Sequence, residues 1–141
     1  MAITSAICNS FKQEILEAEH NFTASTGNTF NLALYDSDAS LGAGTTAYTT
    51  SEEITNTSGT AYSAKGKALT SVTPTLDSST AVCDFADVSW TSASFTARGC
   101  MIFNDSHSTD ASVCVIDFGG DKTATSGTFT IQFPTADATN A

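Results

Sequence analysis

Alternating side chains between residues 94 and 134 constrain the fold of this chain more than any other feature. Apolar residues recur at every second position over Phe95–Phe103, and apolar runs follow at Val113–Phe118 and Phe129–Phe133. A period of two places one row of side chains in a core and the other toward water, as in a β-strand. We therefore predict antiparallel strands separated by polar turns, one of them at Gly119–Lys122.

The N-terminal residues predict a helix over about residues 4–20. Ile3, Ile7, Phe11 and Ile15 recur at helical spacing, with polar residues between them. Such an apolar stripe must cover something. It covers the sheet of its own domain or, alternatively, packs on a neighbouring subunit. In the second case Ile3, Ile7, Phe11 and Ile15 are the candidate assembly contacts.

Other apolar runs complete a mainly β fold. Phe30–Tyr35 predicts an inner strand, and Val72–Leu76 with Thr80–Phe85 predicts a hairpin that turns at residues 77–79. Pro74 confines its strand to an edge or an end. We expect weaker strands over residues 62–70 and 88–90, and a short helical turn or a surface excursion over residues 48–58.

This spacing of strands predicts one domain over residues 1–141. Seven or so short strands favour an antiparallel β-sandwich or a jelly roll, here spanning about residues 29–134 and followed by a polar tail at 135–141. The chain of 141 residues is long enough to bury a core. Trp90 and the three tyrosines are expected to anchor that core.

The charge of the chain excludes several classes of partner. Only 14% of the residues are charged and the formal net charge is −10. Binding to phosphates needs a cationic surface. We therefore expect no nucleic-acid partner and no anionic membrane partner. No run approaches the ~20 apolar residues of a membrane span, and Met1-Ala-Ile-Thr lacks the basic start of a signal peptide.

The four cysteines are widely spaced, at positions 8, 83, 100 and 114. Without a Cys-x-x-Cys pair or a histidine close in sequence, a zinc site is not expected. Cys83, Cys100 and Cys114 lie inside apolar strand patterns and suit small buried side chains. We expect reduced thiols and synthesis in a reducing cytoplasm, although an even count also permits two disulfides.

The polar clusters do not predict an enzyme. Asp36 and Asp38 resemble the start of a calcium loop, but Leu41 and Ala47 stand where an EF-hand needs a glycine and a glutamate, and a turn explains the two aspartates better. Asp105, His107 and Asp110 are interpreted as a polar turn without a nucleophile. His20 is expected to cap a helix end. We predict no catalytic residues, no metal and no cofactor.

Blocks across most of the chain resemble a family of small virion structural proteins of tailed phages, especially phages of aquatic bacteria. The blocks that carry the resemblance are Ala6–Ile15, Phe30–Tyr35, Phe85–Trp90, Phe95–Gly99, Asp117–Lys122 and Gly127–Pro134. Members of that family carry a short apolar tail after the final block, where this chain has Thr139-Asn140-Ala141.

The resemblance implies a capsid cement or decoration protein. Such a protein would bind the major capsid protein on the outer surface of the head, as a homo-oligomer and preferably a trimer, and would stabilise contacts between capsomers. It would be made in the cytoplasm of the bacterial host. The alternative is a tail, neck or fibre-associated structural protein with a host-glycan-binding role. A small glycosidase, which would need two facing carboxyl groups, is the third hypothesis.

Overall fold

The fold is mainly β, with antiparallel strand pairing, as the sequence predicts. The computed structural model describes residues 2–55 and 61–140. Within them the chain forms one helix and seven strands. In chain order these are β1 (Ala6–Ile7), α1 (Asn9–Glu14), β2 (Phe30–Tyr35), β3 (Lys67–Ala68), β4 (Ser71–Asp77), β5 (Thr80–Phe85), β6 (Val88–Asn104) and β7 (Ala111–Ile131).

The strands of the described residues form two sheets. A five-stranded sheet has the order β1-β7-β6-β2-β3, and β4 pairs with β5 as a separate hairpin. The hairpin turns at Ser78-Ser79, with Asp77 opposite Thr80. This agrees with the predicted turn. Pro74 lies on β4, whose one partner among the described residues is β5, so the expected edge position is also confirmed.

The N-terminal helix is much shorter than predicted. It spans Asn9–Glu14, and the residues before it are extended. Ile3 bridges Leu41, and β1 pairs with β7 through Ala6 opposite Val115. A spacing of four residues is equally compatible with this extended segment. Tertiary pairing overrides the helical pattern here.

The two long strands β6 and β7 form a continuous hairpin. The predicted turn at Gly119–Lys122 is wrong, because those residues lie inside β7. Residues 118–121 instead bulge out opposite Arg98, between the pairs Ala97–Lys122 and Gly99–Asp117. Arg98 Nε bonds to Asp117 Oδ1 at 2.9 Å across the start of this bulge. Likewise, the expected separate strand at residues 88–90 is the beginning of β6.

The bulge also moves side chains from one face of the sheet to the other. Phe95 and Ala97 share a core cluster with Cys100 and Ile102. Met101 lies in the other core cluster, on the opposite face of the sheet. The single alternating row predicted over Phe95–Phe103 is therefore wrong, since an irregular register exchanges the two faces of a strand.

Apolar side chains pack on both faces of the sheet. The larger cluster surrounds Trp90, Tyr62 and Phe30, and the smaller one surrounds Tyr35 and Phe103. All five of these side chains are almost fully buried. The predicted inner strand β2 contributes to both clusters, which explains why its sequence is a nearly continuous apolar run.

Most of the predicted strand over 62–70 is irregular. The segment 48–55 is likewise irregular, and residues 56–58 of that prediction lie outside the described residues.

Candidate functional site

Three of the four predicted assembly residues lie together in an open groove. Ile7, Phe11 and Ile15 line one wall of it, and Ile7 and Ile15 are 50% and 40% exposed. Ile3 does not join them. It is buried against Leu41 in the smaller core cluster. The apolar stripe is thus divided between the core and the surface, and its role in assembly stays a prediction.

The groove lies between the N-terminal segment and the β4–β5 hairpin, and we call it the hairpin groove. Its volume is about 510 Å³, and every residue that lines it is apolar. Cys83 and Phe85 of β5 form the hairpin wall. Ile102 of β6 and Val113 of β7 belong to the sheet beneath. An open apolar surface of this kind is typical of a protein-binding site.

The groove exists because the second layer of the fold is narrow. Within the described residues the hairpin has two strands, whereas the sheet that it faces has five. Two strands cannot cover the apolar face of five. A second hollow of about 530 Å³ continues the uncovered face toward Phe118 and Phe129, and it shares Ile116 and Phe133 with the hairpin groove.

Carboxylates outnumber cations along the segments that border the groove. Residues 7–17 and 71–87 carry Glu14, Glu17, Asp77, Asp84 and Asp87 against Lys12 alone. Such a charge distribution attracts cationic partners and repels anionic ones.

All four cysteines are free thiols, and they differ in exposure. Cys8 and Cys100 are buried and Cys114 is partly buried. The prediction that Cys83 is buried is wrong, because its strand forms the wall of the groove and the side chain is exposed there. Burial raises the pKa of Cys114 to about 12, and desolvation also raises the pKa of Cys83. A thiol with a raised pKa is a poor nucleophile, so none of the four has the environment of a catalytic cysteine.

Asp36 and Asp38 form the turn that the sequence predicts. The Asp38 amide N–H donates to Asp36 Oδ1 at 2.9 Å. Folding brings Glu52 to the same place, so that three carboxylates offer oxygens within 4.8 Å of one another. This group is an acidic surface cluster, since Asp38 and Glu52 are exposed.

Asp105 and Asp110 are joined by a lysine from another loop. Lys65 Nζ lies 2.7 Å from Asp105 Oδ1 and 2.8 Å from Asp110 Oδ2. These two carboxylates hold the pKa of Lys65 above its usual value. His107 turns away and contacts Glu19 Oε2 at 3.5 Å. The predicted polar turn is therefore an ion-paired corner, and the imidazole does not face either aspartate.

The sequence predicted that His20 caps a helix end, and this prediction is wrong. His20 is a buried core residue. Its Nε2 lies 2.8 Å from Glu14 Oε2, and its Nδ1 lies 3.1 Å from the buried Asn104 amide nitrogen. The ring packs against Phe11 at a centroid distance of 4.9 Å. This cluster fastens the end of the N-terminal segment to the end of β6.

A buried glutamate is the polar feature that sequence reasoning missed. Glu53 accepts hydrogen bonds from the Tyr48 hydroxyl at 2.6 Å, the Tyr62 hydroxyl at 2.7 Å and the Lys65 amide at 2.8 Å. Desolvation, followed by the hydrogen bond to Glu53, raises the pKa of Tyr48 to about 12 and that of Tyr62 further. Glu53 is 8% exposed, so its carboxylate organises the fold rather than a substrate.

The chain matches no protein-family model, no curated protein and no solved structure. In the part of the chain that the structure describes, no helix has the length and hydrophobicity needed to cross a bilayer. We take the hairpin groove as the candidate binding site, because its lining is apolar and open and the segments beside it are acidic.

Proposed function

We propose that the protein is a structural component of a tailed-phage virion, namely a capsid cement or decoration protein. In this role it binds the outer surface of the head and stabilises contacts between capsomers. The observation that carries the proposal is the open apolar groove lined by Ile7, Phe11 and Ile15. The sequence blocks that resemble small phage virion proteins supply the virion context.

The geometry suits a protein whose activity is binding. Glu53, His20 and the aspartates of the two loops described above are engaged in the core, in ion pairs or in turns, and the hairpin groove presents hydrocarbon. Covering a half-exposed isoleucine contributes about 1 kcal/mol, because full burial contributes roughly 1.5–3 kcal/mol. Such contacts are weak singly but strong when a trimer engages several sites on one shell.

The proposed partner is the major capsid protein, and the proposed location is the capsid surface. An acidic chain with net charge −10 is suited to docking on a shell that presents basic groups. We place synthesis in the bacterial cytoplasm, where free thiols stay reduced.

The test is binding of the purified protein to expanded heads that lack it. We expect stoichiometric binding and heads that resist heating better. Density for the protein at the tail, with none on the head, would refute the cement role and support the tail, neck or fibre alternative.

A matched pair of variants ties this binding to the groove. Ile15→Asp places a charge in the apolar wall, whereas Leu16→Asp places the same charge on a neighbouring side chain that is 87% exposed and outside the groove. We expect Ile15→Asp to weaken head binding about tenfold, which corresponds to about 1.4 kcal/mol. Leu16→Asp should bind as the unmodified protein does. Equal loss in both variants would contradict a role for the groove.

A further inference from the structure

We infer that the hairpin groove binds an extended apolar segment flanked by lysine or arginine residues, contributed by a partner protein. The inference rests on the proposed function for the identity of the partner, the shell protein. It goes further in naming the chemistry that the partner segment must have.

The apolar part of the segment follows from the lining. The groove exposes the side chains of Ile7 and Ile15 to water, and it continues along the sheet into the neighbouring hollow through Ile116 and Phe133. Two adjoining hollows of about 510 and 530 Å³ that share lining residues suit a row of side chains better than one compact ligand. Alternate side chains of an extended peptide would enter it.

The extended conformation follows from the hairpin. Among the described strands, β5 pairs with β4 alone, so one edge of each strand lacks a neighbour. Unpaired backbone groups at an edge accept an added strand. Pro74 removes a donor from β4 and its register is irregular, which leaves β5 as the better template. On β5 the Phe85 backbone N–H donates to Asp84 Oδ1, so an added strand would pair with the other backbone groups of that edge.

The basic flanks follow from charge complementarity. The segments 7–17 and 71–87 carry five carboxylates against Lys12, and Lys122 lines the adjoining hollow. A second copy of this chain would bring the same carboxylates and a further net charge of −10. Like charges placed opposite each other are destabilising, so a cationic segment fits this groove better than a second copy does.

The exposed thiol of Cys83 reports directly on occupancy of the groove. The probes are two synthetic peptides with the same alternating valine–threonine centre, one with two lysines at each end and the other with two glutamates. The readout is the rate at which a disulfide reagent modifies Cys83 in the full-length protein. The variant Cys83→Ser identifies the phase of the reaction that belongs to this thiol.

We expect the lysine-flanked peptide to slow modification of Cys83 about tenfold and the glutamate-flanked peptide to have little effect. The difference should largely disappear in 1 M salt, where the screening length falls to about 3 Å. Asp84→Asn combined with Glu17→Gln should weaken the lysine-flanked peptide selectively, and Leu16→Asp should leave its protection of Cys83 in place.

Three results would overturn the inference. Neither peptide protects Cys83; both protect it equally; or the protein alone hides Cys83 as its concentration rises and sediments as a dimer, which would make a second copy the occupant. Because these measurements use no capsid, they fail or succeed independently of head binding. Heads that bind while the peptides do not would leave the cement role standing without this groove chemistry.

Discussion

The three tyrosines predict a steep loss of stability in alkali. Tyr35, Tyr48 and Tyr62 all have a pKa above the ordinary value of 10.0, with desolvation as the largest cause in each, and the pKa of Tyr48 rises to about 12. The folded state therefore keeps three phenolic protons that the unfolded chain releases near pH 10. By linkage, the contribution of these groups to stability is complete below pH 10 and is lost as the pH rises further.

The size of the effect follows from the number of protons. Each group whose protonation differs between the two states changes the free energy of unfolding by about 1.4 kcal/mol per pH unit. Three tyrosines together lower the free energy of unfolding by about 4 kcal/mol per pH unit. Cysteines with a raised pKa lower it further, beginning near pH 9. A typical stability of about 5–15 kcal/mol would be largely removed over two units. We expect cooperative unfolding by about pH 12.

The assay follows tyrosinate absorbance and circular dichroism together during a rise in pH. The chain has three tyrosines, so the absorbance reports on these residues alone. Both signals should change in one transition. Glu53→Gln should lower the pKa of Tyr48, since Glu53 raises it by hydrogen bond and charge, and the exposed Glu52→Gln is the matched control. Gradual ionisation near pH 10 with native dichroism retained would refute the reasoning.

Two substitutions test the packing. Gly66→Ala should destabilise the protein by about 2 kcal/mol or more in urea unfolding, since the φ of Gly66 is +65° and an added methyl would overlap the Leu32 carbonyl. The control Gly44→Ala, at a position with open space around it, should cost less than about 1 kcal/mol. Equal costs for the two variants would contradict the steric account. His20→Ala should cost about 1–3 kcal/mol because it leaves buried polar groups without their partner. His107→Ala should cost less than about 1 kcal/mol, because this partly buried side chain hydrogen-bonds to the exposed Thr109 and not to a buried group; a thermal shift as large for His107 as for His20 would argue against this assignment.

The parts of the fold that sequence predicts are those with local causes. The β4–β5 hairpin follows from polar turn residues between two apolar runs, and β2 follows from a run that is apolar on both faces. The residue at which the helix begins could not be predicted from local sequence. Ile3 and Ile7 fit a helical spacing, and their extended conformation depends on Leu41 and on β7, which are remote in sequence.

The exchange of faces within β6 has a similarly distant cause. It depends on β7, where four residues stand opposite the single residue Arg98, and nothing in the sequence of β6 records them. The groove was predictable in part. The spacing of Ile7, Phe11 and Ile15 marked an apolar stripe in need of cover, but the hairpin wall and the buried Glu53 required tertiary structure.

The pairing of β1 with β7 has a consequence for the order of events during translation. Ala6 and Ile7 leave the ribosome well before their partners Val115 and Cys114, which are made more than one hundred residues later. Until then the N-terminal segment has no strand to join, and its isoleucines stay open to other chains. Folding of this domain therefore cannot finish before β7 emerges, because β1 pairs with the last of the described strands.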